Sequence, residues 1–232
     1  MTVTSPVPVS LAIWEGVIES LTYDNTSQDP DLTQRHITLE LSDGIDSNLP
    51  LADSFIQITP VNNAPTLTNI EALPAVFVEN GAPAGLTGNL TVADPDDTLI
   101  ESASVTITNF VSGEDQLSFV AQPPINGFYT GNTLTLVGSA SLAQYEAVLR
   151  SVAYTNTSDS PTGVTRTLSV VINDGNVNSN IATRDIEISP LNDAPALSTI
   201  EGQPASYTEG GLPVGLTRNI GIADIDLSLI HI

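Results

Sequence analysis

Cysteine is absent from this 232-residue chain, and so is lysine. Without cysteine there are no disulfides, no zinc–thiolate sites and no thiol nucleophile. Five arginines, at positions 35, 150, 166, 184 and 218, stand against 27 Asp and Glu residues, so the formal net charge is −22. A surface of that sign repels nucleic acid and anionic membranes. It suits divalent cations, but acidity alone favours plain solubility. No apolar run approaches the roughly 20 residues of a membrane helix. The opening MTVTSPVPVSLAIWEG lacks the basic start and apolar core of a signal peptide. Catalytic signatures are missing too: there is no Gly-x-Ser-x-Gly and no phosphate loop, and the histidines are only His36 and His231. The expectation is that this is not an enzyme. What is present is 41% hydrophobic residues, enough for packed cores in one or two domains.

The chain repeats itself. SLAIWEGVIESLTYDNTS (10–27) is answered by SLAQYEAVLRSVAYTNTS (141–158), so Tyr154 lies 131 positions after Tyr23 and Arg166 the same distance after Arg35. After a one-residue deletion the offset becomes 130, through VNNAPTL (61–67) and LNDAPAL (191–197). VENGAPAGLTGNLTVADPD (78–96) then matches TEGGLPVGLTRNIGIADID (208–226). A register kept this long is the signature of a repeat array. The reading is that residues 1–63 are the second half of one copy, 64–193 a complete copy, and 194–226 the start of a third. Met1 aligns with Asn132, in mid-repeat, which reads as an internal start on a fragment with any signal peptide upstream. After Asp226 the match stops at LSLIHI (227–232). One coding of these residues, CTG TCT CTT ATA CAC ATC, is a transposase end used in sequencing libraries. The expectation is translated adapter; the alternative is true divergence of the third copy, and the nucleotide reads decide.

Most of the complete copy reads as strands: NLTVAD, SASVTITNF, DQLSFVA, NTLTLVG, RTLSVVIND and TRDIEISP are rich in Val, Ile, Thr and Leu. Leu168, Val170 and Ile172 alternate with Thr167, Ser169 and Val171, the period of a half-buried strand. Asn126-Gly127 predicts a hairpin turn. Short strands and frequent turns predict an all-β fold of antiparallel β-sandwiches. One segment departs: Leu142, Tyr145, Val148, Leu149 and Val152 recur at helical spacing, and Ser141 with Gln144 fits a capping box. One short helix per repeat is expected, with Tyr145 and its counterpart Trp14 in the core. The prolines after each last strand (60, 190) and in each Ala-Pro stiffen the exits, so the two heptads read as domain junctions.

Oxygen-bearing side chains recur around those junctions. Glu79, Asp94 and Asp96 follow the first, and Glu209, Asp224 and Asp226 follow the second. Asp43 and Asp174 each precede a glycine at a strand end; the junctions themselves offer Asn62 with Asn63, then Asn192 with Asp193. A hard cation such as Ca²⁺ takes about 6–8 oxygens, mixing carboxylates with neutral carbonyls. Solvated acidic loops are the alternative. The EF-hand-like spacing of 29–40 lacks its glycine, Gln34 standing there, and is set aside.

VENGAPAGLTGNLTVADPD, the late INDG and PLNDAP resemble the cadherin repeat, above all the cadherin-like repeats of very large bacterial surface proteins and adhesins. The resemblance covers the chain to Asp226. It implies tandem Ig/cadherin-like sandwiches that bind Ca²⁺ at domain junctions. By motif, it makes Glu79 the glutamate of the first loop, Asp94 and Asp96 the Asp-x-Asp pair, and Asp174 the late Asp-Gly aspartate. Asn62 and Asn192 become the linker asparagine, and Asp193 the linker aspartate. Glu209, Asp224 and Asp226 repeat the first set. Pro60 and Pro190 stand where the family's linker has an aspartate, and its Asp-Arg-Glu motif is absent, so one or two ions per junction are expected. Asn63 in place of aspartate predicts weaker binding at the first junction. The implied role is a calcium-stiffened stalk segment of an extracellular, cell-surface adhesin. Its partners would be neighbouring repeats of the chain and a surface protein or glycan, with no nucleic acid and no membrane span in this segment. The alternatives are a carbohydrate- or protein-binding module, or a spacer in a giant secreted enzyme.

Overall fold

The structure, a computed structural model, describes residues 1–226. The adapter reading of 227–232 lies outside the described residues. The chain divides into two compact units, Met1–Asn62 and Asn63–Ile232. Short β-strands in several sheets, with two nine-residue helices, make the fold all-β.

The first unit holds helix α1 (Leu11–Glu19) and the antiparallel pair β1 (Arg35–Leu39) and β2 (Ala52–Ile56). None of the residues of α1 is fully buried, and Trp14 is only half-buried. The core position expected for Trp14 is thus not reached. In the second unit the equivalent helix packs on strands at 91–93, 99–108 and 133–141; the first two have no counterpart among residues 1–62, and residues 2–10, which match the third, form no strand.

The second unit runs through β3 (Thr66–Thr68), β4 (Ala75–Val78), β5 (Ala84–Gly85), β6 (Thr91–Ala93) and β7 (Leu99–Thr108). It continues through β8 (Asp115–Ser118), β9 (Asn126–Thr130), β10 (Thr133–Ser141), α2 (Leu142–Arg150), β11 (Ala153–Asn156), β12 (Arg166–Asn173) and β13 (Ala182–Ser189). The last described strands are β14 (Ala196–Ser198) and β15 (Gly221–Ala223). A six-stranded sheet has the order β4-β13-β12-β7-β10-β9, antiparallel except where β4 joins β13 in parallel. A three-stranded sheet, β5-β11-β8, supplies a second layer. The two share a core: Phe77 of the first meets Tyr154 of the second edge-on, with ring centroids 5.6 Å apart. Leu168, Val170 and Ile172 point into it, as their alternation predicts.

Helix α2 closes one end. Ser141 Oγ accepts the Gln144 N–H, and Gln144 Oε1 accepts the Ser141 N–H at 3.1 Å, the expected capping box. Tyr145, Val148 and Leu149 are buried, and the helix rests on β6, β7 and β10. In α1 the third helical residue is Ile13 where α2 has Gln144, and Ser10 makes no side-chain cap bond.

The hairpin turn expected at Asn126-Gly127 is a correction. Both residues lie inside β9, and the tight loop is Gly131-Asn132, between Thr130 and Thr133. Gly131 takes φ +58°, which glycine adopts without steric cost at the first loop position. Gly127 is small for another reason: a Cβ there would come 2.3 Å from the Phe119 ring.

A buried ionic network joins the two sheets. Arg166 Nε donates to Asp115 Oδ2 at 2.8 Å with both side chains wholly buried. Asp115 also accepts from the Tyr154 hydroxyl, from Asn156 at 3.1 Å and from the Val111 N–H at 2.7 Å. The rest of the guanidinium donates to the carbonyls of Thr162 and Val164 and to Glu114. A charge pair out of water is tolerable only with its remaining hydrogen-bonding capacity met, as here.

Candidate functional site

The sequence gathers its acidic residues by proximity to the junctions; the strands sort them differently. Strand β13 leads away from Asn180, whose side chain bonds both backbone groups of Leu67, and ends at Ser189 beside Val78. Eight residues of strand span about 26 Å. The two ends of the middle copy are therefore far apart, and the carboxylates divide between them.

At the entry end, β6 ends at Ala93 and the chain turns through Asp94-Pro95-Asp96-Asp97. Asp94 Oδ1 accepts the N–H groups of Asp96 and Asp97, at 3.2 and 3.0 Å. Both oxygens of Asp96 accept the Asn63 N–H, at 3.2 and 3.0 Å. One carboxylate oxygen from each of Asp94, Asp96 and Asp97 lies within 4.8 Å of the others. Asp94 Oδ2 is buried and has no hydrogen-bond partner. Burial pushes the Asp94 carboxyl above its ordinary range, and the neighbouring Asp96 adds to this; the N–H groups of Asp97 and Asp96 pull the other way. Asp174 lies at this same end, because Asn173 pairs with Ser102 near the start of β7. It is buried, and its Oδ1 accepts the N–H groups of Asn176 and Val177, both at 2.7 Å. Its counterpart Asp43 makes the same turn in the first unit, accepting from Ile45 and Asp46 at 2.9 and 3.0 Å. Asn62 is the exposed last residue of that unit.

Glu79 lies at the exit end, away from Asp94. The parallel pairing of β4 with β13 carries it there: its N–H donates to the Ser189 carbonyl at 3.0 Å. Its Oε2 accepts the Leu191 N–H at 2.7 Å. The Glu79 side chain is buried, and its Oε1 has no hydrogen-bond partner. Two residues on, the Asp193 N–H donates to Asp226 Oδ2 at 2.5 Å, and the Asp226 N–H donates to Asp224 Oδ1 at 3.2 Å. These bonds repeat those of Asn63, Asp96 and Asp94 at the 130-residue offset. Asp193 Oδ2 is likewise buried without a partner, and Asn192 Nδ2 donates to the Asp193 carbonyl. Glu209 remains exposed, since residues 205–208 do not form the strand that would carry it to an exit.

No protein-family model and no curated protein matches this chain.

Chemically, each end offers oxygen donors only, from carboxylates and amide carbonyls. A buried carboxylate oxygen with no donor facing it costs free energy until a proton or a cation compensates it. Such oxygens, at Glu79, Asp94 and Asp193, occur at both ends, so the residues present fit a hard cation. Asp97 was not singled out from the sequence, although the run Asp94–Asp97 held the signal. The exit-end position of Glu79 needed the β4–β13 pairing, which no local pattern announces.

Proposed function

We propose that the chain is a calcium-stiffened stalk segment of an extracellular adhesin, built of tandem cadherin-like β-sandwich repeats with metal at their junctions. The observation that carries this reading is the pair of buried, partnerless oxygens, Glu79 Oε1 and Asp193 Oδ2, flanking the exit segment 190–193. Glu79 belongs to the middle copy. Asp193 is held by Asp226 of the next one. Two successive copies therefore grip one short segment, the middle copy through Glu79 and the next through Asp226. When bound, Ca²⁺ would neutralise both and fix the segment between them. Glu79 holds the exit through Leu191, Asp226 holds it through Asp193, and Asp224 orients Asp226. At the entry end Asp94, Asp96, Asp97 and Asp174 would play the matching parts, with Asn63 as a neutral donor.

Calorimetric titration with Ca²⁺, together with small-angle scattering before and after chelation, tests the reading. Heat of binding and a more extended, less variable particle with calcium are expected. No heat, and the same particle dimensions with and without chelator, would overturn it.

A second reading, a module binding neutral carbohydrate, has one observation in its favour. Phe110, Leu117, Tyr129 and Asn132 line a cavity of about 310 Å³, with Tyr129 half exposed. Chemical-shift changes at these residues on adding simple sugars would support it over the stalk reading.

A further inference from the structure

Between Asp115 and Glu146 the chain has no Asp, Glu, Lys or Arg, the longest such gap in a sequence of net charge −22. All of it lies inside the complete copy. The gap contains β9 and β10, and β9 is an edge strand of the six-stranded sheet. The opposite edge, β4, has β5 and β11 beside it. Strand β9 pairs on one side only, with β10.

Edge strands are commonly guarded by charge, proline or a bulge, because their free N–H and C=O groups accept any strand that reaches them. Strand β9, Asn-Gly-Phe-Tyr-Thr, has none of these and keeps an unbroken register with β10. The two-residue loop makes Thr130 and Thr133 a hydrogen-bonded pair, and bonded and non-bonded pairs then alternate. Asn126, Phe128 and Thr130 therefore bond β10, while the N–H and C=O groups of Gly127 and Tyr129 point away from the sheet. Phe128 lies opposite Thr135, on the face turned from the core, and is 51% exposed. Tyr129 lies opposite the buried Leu134, on the other face.

We propose that β9 pairs antiparallel with β9 of a second copy of this chain, about a two-fold axis at Phe128. The free groups set the register. Gly127 and Tyr129 of one copy exchange hydrogen bonds with Tyr129 and Gly127 of the other. Phe128 then faces its own mate in a non-hydrogen-bonded pair, where side chains come closest, and each Tyr129 ring lies across from a glycine. The strand is thus complementary to itself. It is also the edge at which two acidic chains meet without setting carboxylates against each other. Strand β10 and residues 102–108 of β7 add no charge, and Asp185 and Glu187 on β13 lie four strands away. The contact uses the same patch on both copies, so it closes as a dimer. The net charge of −22 still repels at long range, so salt favours the pairing.

Sedimentation velocity of the full chain over a dilution series, at low and high salt and with chelator present, tests this apart from any metal. The mass should rise from 24.3 kDa towards twice that value and stop there, at lower concentration in high salt. Phe128→Asp sets like charges across the axis and should hold the chain at the monomer mass. Its circular dichroism should not change, since that side chain is half exposed. The chain has no cysteine, so a single one reports the register. Phe128→Cys places two Cα atoms about 4.5 Å apart, within disulfide reach, and mild oxidation should give a covalent dimer. Val137→Cys, exposed on the same face but one strand inward, should stay uncrosslinked under the same oxidant. A monomer at every concentration would overturn the proposal and leave the edge to a strand of another protein. So would Phe128→Cys crosslinking no more than Val137→Cys, or Phe128→Asp associating like the unaltered chain.

Discussion

Arg35 and Arg166 occupy the same place in two copies of one sequence and lead different lives. Both donate to the carbonyls two and four residues upstream: Arg35 to Thr33 and Asp31, Arg166 to Val164 and Thr162. In both copies an Asn–Tyr pair makes the same bond, Asn25 to Tyr23 at 3.2 Å and Asn156 to Tyr154 at 3.3 Å. Only Arg166 is buried, because only the middle copy supplies Asp115. Arg35 has Asp31 at 4.0 Å, with that carboxylate mostly in water. Local sequence therefore sets the local turn and its bonds. Burial, and with it the energetic weight of each bond, is set by the other half of the repeat.

The largest test of this comparison is Asp115→Ala. It strands a buried guanidinium and should cost the second unit about 3–5 kcal/mol. Arg35→Ala, at the equivalent half-buried arginine with its partner carboxylate in water, should cost less than about 1 kcal/mol. Urea unfolding of both variants measures the gap, and equal losses would erase the distinction.

The second contrast is between Glu79 and Glu209. Glu79→Gln should weaken calcium binding by about tenfold or more, about 1.4 kcal/mol, while leaving the calcium-free unit as stable or more so. Glu209→Gln, exposed and away from any exit segment, should change neither quantity. Thermal unfolding with and without calcium reads both.

The third contrast is between the two helix caps. Ser141→Ala should cost about 1 kcal/mol, and Ser10→Ala close to nothing, because only Ser141 caps. Ile13→Gln should build the missing half of the box in α1 and make Ser10 matter. Circular dichroism of the melting chains would show the difference.

The smallest effect concerns acid. The Thr162 hydroxyl and N–H, with Asn156 and Arg166, hold the Glu114 carboxyl below its ordinary range. Its contribution is complete above the unfolded value of about 4.3 and disappears as pH falls through the lower folded value. Urea midpoints should fall with acidification in that window, and Glu114→Gln should make the profile flatter there.

How much of this the sequence could show follows from the same contrast. The strands, the position of α2 and its Ser141–Gln144 cap are local or periodic features, and local chemistry predicts them. The turn at Gly131 was misplaced because Asn126-Gly127 has turn chemistry, and only the approach of Phe119 explains that glycine. Trp14 was assigned to the core from its counterpart Tyr145, but burial depends on strands that residues 1–62 do not contain. In the candidate site, the Asp-x-Asp pairs and the linker residues were legible as spacing. The separation of Glu79 from Asp94 and the Asp115–Arg166 network were not, because both arise from pairings between segments distant in sequence.

The parallel contact of β4 with β13 bears on how the chain meets tension. A pull applied at Asn63 and at Asp193 reaches β4 through its leading end and β13 through its trailing end. The two strands are then drawn past each other, and the slanted hydrogen bonds between Ala75–Val78 and Ile186–Ser189 are loaded together rather than opened singly. Glu79, bonded to Ser189 and Leu191 just beyond that ladder, lies where the load enters. The middle copy is thereby arranged as a shear-loaded element, with its resistance concentrated beside the carboxylates of the exit segment.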